Sequence, residues 1–343
     1  MNFLNHKKMA TICGITFCIL SGSILATDQP LNAQAGANQV NPPVAVPKKP
    51  AGTAPLPTAW HAVIFDVVAH EDDWQLFMNP NIYNEIILPN TKSVFIYTTA
   101  GDGGNKQGKN DHPYYRSREE GANRSVRFVA DTVDTVRPGS LESNVTINGH
   151  VIKKIVYKNT VSYFLRLPDG GVDGVGLPAG KDAPSIMKLY NGQSQSLPAV
   201  DKSTTYTSRL DLKTTLEAIV RGEIVGSESA KFNLIEPDPE LNHSDHLDHR
   251  FTTKLMEDIQ VGLPCIDMVY FKSYITSSMG VNVTGEDLIN DVSTFAVMVS
   301  GQSDYGYEST WNVRHKGWLA RNYFRTAPAS RPGNWCFSGT GGP

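Results

Sequence analysis

Residues 61–69 (HAVIFDVVA) and 92–99 (KSVFIYTT) are the strongest constraint on what this chain can fold into. Both are nearly unbroken runs of β-branched and aromatic side chains. They are too short for a buried helix and lack the polar alternation of a strand with one wet face. Such runs belong to strands buried on both faces, as inside a parallel sheet covered by helices. Between them, residues 73–88 carry Leu76, Phe77, Ile82 and Ile86, broken at Asn79-Pro80, and residues 114–128 read as a helix. Strand, helix, strand, helix opens an α/β fold. Further core strands are expected at 230–235 and 266–274. Helices are expected at 208–221, where Ser208 and Asp211 have capping-box spacing, and at 251–261, 285–299 and 309–325. Residues 145–167, rich in Val, Ile, Tyr and Thr, have turn signals at Asn148-Gly149 and Pro168-Asp169-Gly170. They predict an antiparallel insertion that continues as loop to about residue 205. The expected fold is α/β and Rossmann-like: a mostly parallel sheet with helices on both faces and a β-rich insertion.

The first 58 residues carry no such pattern. Lys7 and Lys8 precede an apolar run over 9–25, and Ala26 offers a small residue for cleavage. That order is a signal peptide's. The other reading, an uncleaved anchor, wants about 20 apolar residues, whereas this run includes Thr11, Thr16, Ser21 and Ser23. Residues 27–58, dominated by Ala, Pro, Gln, Asn and Lys, read as a tether without a core. The expected organisation is thus signal peptide 1–26, linker 27–58 and one folded domain 59–343, in a protein that is secreted or periplasmic with no stable membrane span after cleavage. The balance of 31 basic and 34 acidic residues holds no basic block, so nucleic acid is not an expected partner. Outside the signal the cysteines are Cys265 and Cys336, which either pair or stand as two buried thiols. With no cysteine cluster, any metal must be held by His and carboxylates.

Three polar clusters each follow a predicted core strand: His70-Glu71-Asp72-Asp73, then residues 98–104 (TTAGDGG), then residues 243–249 (HSDHLDH). In an open parallel sheet, ligands bind beyond the carboxyl ends of the strands, so all three can meet at one crevice. Two imidazoles and one carboxylate with an open position form a common catalytic zinc site. His70, the adjacent carboxylates, His243 and His246 exceed that set by one carboxylate and one imidazole. An amide hydrolase uses such a surplus as a base for the attacking water and a donor for the oxyanion and leaving amine.

The segment Ala69-His70-Glu71-Asp72-Asp73 resembles the AHPDD signature of the PIG-L/LmbE-like de-N-acetylases, which act on N-acetylglucosamine conjugates. His243-Ser244-Asp245-His246 resembles that family's HPDH signature. Thr99-Ala100-Gly101-Asp102 looks like its glycine turn, and Arg116-Ser117-Arg118-Glu119 like its RxxE helix start. The order agrees over residues 62–274. The resemblance implies that His70, Asp73 and His246 hold a divalent metal, zinc by expectation, that Asp72 is the general base, and that His243 serves the oxyanion or the amine. It further implies that Asp245 orients His243 and that Arg116 contacts the substrate, an N-acetylated sugar or glycoconjugate, or braces the site. Glu71 departs from the family's Pro. Trp74 stands where a Glu is frequent, as either a sugar-facing wall or a packed residue.

His249 is a further ligand candidate, one helical turn past His246. His61, His112, His150 and His315 read as packed or exposed, and Trp311, Trp318, Tyr323 and Phe324 as core. Glycosylation sequons occur at Asn123, Asn144, Asn242 and Asn282, of which Asn242 abuts the third cluster. Two other functions compete with an exported zinc-dependent deacetylase. One is a secreted carbohydrate-binding protein without catalysis. The other is a hydrolase of a different bond, against which stand the missing HExxH motif and too few bridging carboxylates for two metals.

Overall fold

The computed structural model describes residues 59–104, 112–177 and 183–337. All belong to a compact unit spanning Thr53–Pro343. The expected signal peptide and linker lie outside the described residues. In chain order the elements are β1 (Ala62–Val68), α1 (Asp73–Phe77), α2 (Asn81–Ile86), β2 (Thr91–Thr99), α3 (Tyr114–Ala130), β3 (Leu141–Ile147), β4 (His150–Tyr157), β5 (Thr160–Leu167) and α4 (Ile186–Tyr190). Then follow β6 (Leu197–Pro198), β7 (Thr205–Tyr206), α5 (Arg209–Glu223), β8 (Ser229–Ile235), α6 (Leu247–Gln260), β9 (Asp267–Phe271), a 3-10 turn (Tyr274–Ser278), α7 (Gly285–Asp304), α8 (Val313–Trp318), β10 (Phe324–Ala327) and α9 (Asn334–Phe337).

The main sheet has eight strands in the order β10-β9-β8-β1-β2-β5-β4-β3. The inner five, β9 to β5, are parallel, while β10 at one edge and β4 and β3 at the other pair antiparallel. Apolar side chains of β1 and β2 are buried, as their composition requires. One core lies under α4, α5 and α6, with Leu216, Phe251 and Met256 packing on Phe65 and Phe232. The other lies under α1, α2, α3 and α7, around Trp74, Phe95, Tyr97, Val126 and Phe295. Helices therefore cover both faces of a mostly parallel sheet, a Rossmann-like α/β architecture. From β1 the chain builds outward through β2 and β5 in one direction and through β8 and β9 in the other. The switch point falls between β1 and β8, where such folds open a crevice.

Ser208 caps α5 by accepting from the Asp211 amide, a contact worth about 1 kcal/mol. Two segments differ from their sequence reading. Residues 145–167 are antiparallel as expected, β3 with β4 and β4 with β5, but they belong to the main sheet, because β5 also pairs in parallel with β2. The expected helix at 309–325 reaches only from Val313 to Trp318. Trp318 and Leu319 turn into the core, Ala320 adopts a left-handed φ of 69°, and the chain re-enters the sheet as β10. Cys265 and Cys336 are joined in a disulfide.

Candidate metal centre

The carboxyl ends of β1, β2, β5 and β8 deliver their loops to one cavity of about 240 Å³, lined by His70, Asp72, Asp73, Arg118, Asp169 and His246 among others. Directly after β1, the backbone turns so that Asp73 opens α1 and its carboxylate folds back to accept from the His70 amide at 2.7 Å. That contact holds His70 and Asp73 together. His249, in the first turn of α6, completes the group from across the crevice. His70 Nδ1 lies 3.1 Å from His249 Nε2, and Asp73 Oδ1 lies 3.1 Å from His249 Nε2 and 3.4 Å from His70 Nδ1.

These separations suit a metal. Donors about 2.0–2.1 Å from a tetrahedral ion stand roughly 3.3 Å from one another. The outer contacts set the tautomer as well. His249 Nδ1 lies 2.7 Å from Asp245 Oδ1, so it donates to that carboxylate and leaves the Nε2 lone pair for the cluster. Two ring nitrogens facing each other around one carboxylate oxygen need a cation among them, as protons or as a metal. The electrostatics agree. Burial pulls the His249 imidazolium down, but Asp245 and Asp73 outweigh it and push its pKa up to about 10. Burial likewise opposes the charge of His70, which Asp73 and Asp248 raise well above the ordinary value. Burial would raise Asp73, yet His249 and His70 hold it well below the usual carboxylate range. The carboxylates of this cluster favour positive charge on its imidazoles.

His246 occupies a different place. It precedes α6 as its N-cap, and Nδ1 accepts from the Asp248 amide at 3.2 Å. With Nδ1 an acceptor, the neutral ring carries its proton on Nε2, which is 3.5 Å from Asp169 Oδ1. His246 also belongs to a looser group with His70, Asp169 and Asp248. There the contacts run from 3.5 to 4.0 Å, wider than the His70–Asp73–His249 set.

Asp72 lines the cavity beside Asp73, and Arg118 Nη2 donates to its Oδ1 while Arg118 Nε donates to Glu71 Oε2 at 2.9 Å. Glu71 thus gives Arg118 a second carboxylate at the position where the resembled family has Pro. Burial pushes Glu71 up to about 7 against the pull of Arg118. Gly101, at φ 48°, permits this pair: a Cβ there would lie 2.5 Å from both Arg118 Nε and Glu71 Oε2. Asp102 Oδ1 accepts from the Asp169 amide at 3.0 Å and so links the β2 and β5 loops.

Besides His246, four expected site residues sit elsewhere or act differently. His243 is exposed and does not line the cavity. Asp245 is buried and orients His249, with Ser273 also donating to it, rather than orienting His243. Arg116 is exposed and points to a separate cleft beside Glu120 and Asn123, because it sits two positions from Arg118 on α3 and so faces the other way. Trp74 is fully buried and donates to Tyr97 Oη at 3.1 Å, so it packs rather than walls the cavity. The structure brings in Arg118, Asp169, Asp248 and His249 instead, and α8 adds Arg314 and His315 to the lining.

No family model matches the chain, and no curated protein matches it in sequence. Among solved structures it is similar to an N,N'-diacetylchitobiose deacetylase from Pyrococcus horikoshii complexed with its inhibitor MPG. That likeness has a TM-score of 0.43 and 13% identity, covering 78% of this chain and 84% of that one.

Proposed function

We propose that this chain is an exported, metal-dependent hydrolase that removes the acetyl group from an N-acetylated sugar or glycoconjugate. The reading is carried by one convergence: the His70, Asp73 and His249 donors meet at a cavity that also holds a further carboxylate, Asp72, and a further imidazole, His246. Those three donors would hold the metal, zinc being suited to two imidazoles and a carboxylate. When bound, such an ion lowers the pKa of water and polarises a carbonyl.

The remaining residues divide the work. Asp72 takes the proton of the attacking water, and Arg118 fixes its carboxylate through their ion pair. His246 turns its Nε2–H toward the cavity and donates to the oxygen on which charge develops as water adds to the acetyl carbon. When the C–N bond breaks, the proton held by Asp72 goes to the departing nitrogen. Asp248 stands 3.7 Å from His70 Nε2, the nitrogen turned away from the cluster, whereas Asp169, which lines the cavity, stands 3.5 Å from the same His246 Nε2 that faces the substrate. The AHxDD-like segment supports an acetyl amide as the bond cleaved, and the Cys265–Cys336 disulfide supports an oxidising compartment.

The test is acetate release from a panel of N-acetylhexosamines and their conjugates, with and without chelator. Release that chelator abolishes and zinc restores is the expected result. Metal-loaded protein that releases acetate from none of them would overturn the reading.

A further inference from the structure

Two guanidinium groups line the cavity, and their situations differ. Arg118 is buried, with its charge met by Glu71 and Asp72. Arg314, on α8, is exposed, and among the described residues no carboxylate pairs with it and no acceptor takes a hydrogen bond from its side chain. Its guanidinium rests over the rings of Tyr274 and Trp318, 5.1 and 5.4 Å from their centroids. Those rings are themselves stacked, 4.8 Å apart and 12° from parallel. The perch is held from two sides. Asn312 Oδ1 accepts from the Arg314 and His315 amides, and the Trp318 indole donates to the Tyr274 carbonyl at 3.2 Å.

A guanidinium lying on aromatic rings spends its flat face there and keeps its N–H edge free. That edge is the fork that matches a carboxylate or phosphate with two parallel hydrogen bonds. The carboxylates lining the cavity, by contrast, all have partners. Asp72 meets Arg118, Asp73 meets His70 and His249, and Asp169 accepts from the Gly103 and Gly171 amides and faces His246. Among the described lining residues, the unmatched charge is the positive one on Arg314.

We propose that Arg314 receives an anionic group of the substrate, a carboxylate or phosphate carried beside the N-acetyl sugar. The preferred substrate is then an acidic N-acetylhexosamine conjugate rather than a neutral one. This rests on the deacetylase reading above and narrows its substrate class.

The experiment compares kcat/KM for acetate release from three compounds: the methyl glycoside of N-acetylglucosamine, its 1-phosphate, and its glycoside with a hydroxycarboxylic acid. Wild type, Arg314→Gln and Arg314→Lys are compared at equal metal content and equal Tm. Wild type should prefer one anionic compound by about 10- to 100-fold, the worth of a charge-assisted pair. Arg314→Gln should collapse that ratio toward one, mainly through KM, and Arg314→Lys should keep part of it. The compound whose preference collapses identifies the anion. A wild-type ratio near one, or a ratio that survives Arg314→Gln, overturns the proposal and leaves the deacetylase reading standing. Release from none of the three would remove that reading and this one together.

Discussion

His249 Nδ1 donates to Asp245 across 2.7 Å, and this bond decides which nitrogen of His249 faces the cluster with His70 and Asp73. Protein purified without added metal should hold about one divalent ion per chain. His249→Ala should abolish that content, and Asp245→Asn should weaken affinity by roughly 10- to 100-fold, the usual effect of losing a ligand's outer partner. Elemental analysis after dialysis against graded chelator measures both. Full metal in His249→Ala would place the ion elsewhere.

His243 and His246 are three residues apart, yet one is exposed and the other lines the cavity. His246→Ala should lower kcat by about 10²- to 10³-fold, as loss of an oxyanion donor does, while His243→Ala should leave turnover near wild type. Single-substrate kinetics on the two variants checks this. The reverse ranking would restore the assignment that the resemblance of His243-Ser244-Asp245-His246 to the family signature implies.

Asp72 and Asp73 are neighbours but should fail differently. Asp73→Asn removes a charged donor and should strip the metal. Asp72→Asn keeps the shape and the metal but cannot accept a proton, so kcat should fall by roughly 10²- to 10⁴-fold. Metal content and saturating turnover are measured on both. Near-normal turnover in both would mean that chemistry happens at another place.

Asp291 of α7 is buried, and burial pushes its pKa up to about 8, only partly opposed by the hydrogen bond from the Ala320 amide. In the unfolded chain its pKa is about 3.9. Between these values the folded state binds the extra proton, so stability falls as pH rises from about 4 to about 8, with a slope of at most about 1.4 kcal/mol per pH unit from this group. Asp291→Asn should flatten that part of the profile and gain over wild type most above pH 8. Denaturant unfolding across the range measures it, and parallel profiles would show that Asp291 is not the group responsible.

Much of this arrangement is written in short-range pattern. The apolar runs of β1, β2 and β8 announce buried strands, and polar clusters directly after them announce a crevice. The third proposed ligand is harder, because the spacing His-x-Asp-His occurs twice in overlapping register, ending once at His246 and once at His249. What separates them is where the helix begins: His246 is the cap and His249 lies inside the first turn. Asp169 escapes notice for a different reason. Composition and turn signals in 145–167 mark an antiparallel insertion but not its place in the sheet: Leu167 ends a strand paired in parallel with β2, which sets Asp169 beside the other strand ends. Arg118 over Arg116 follows from helical phase once α3 is known to start at Tyr114.

Every strand that ends at the cavity, β8, β1, β2 and β5, has a hydrogen-bonded neighbour on each side. The two edge strands of this main sheet, β3 and β10, deliver none of the proposed ligands. Local opening begins where backbone pairing is one-sided, so the proposed ligands are anchored in the part of the sheet that opens last. The outer hairpin and the final strand can then lengthen, shrink or change partners over evolutionary time without re-aiming a single donor. Diversity among relatives should accumulate at the two margins while the middle four strands stay still.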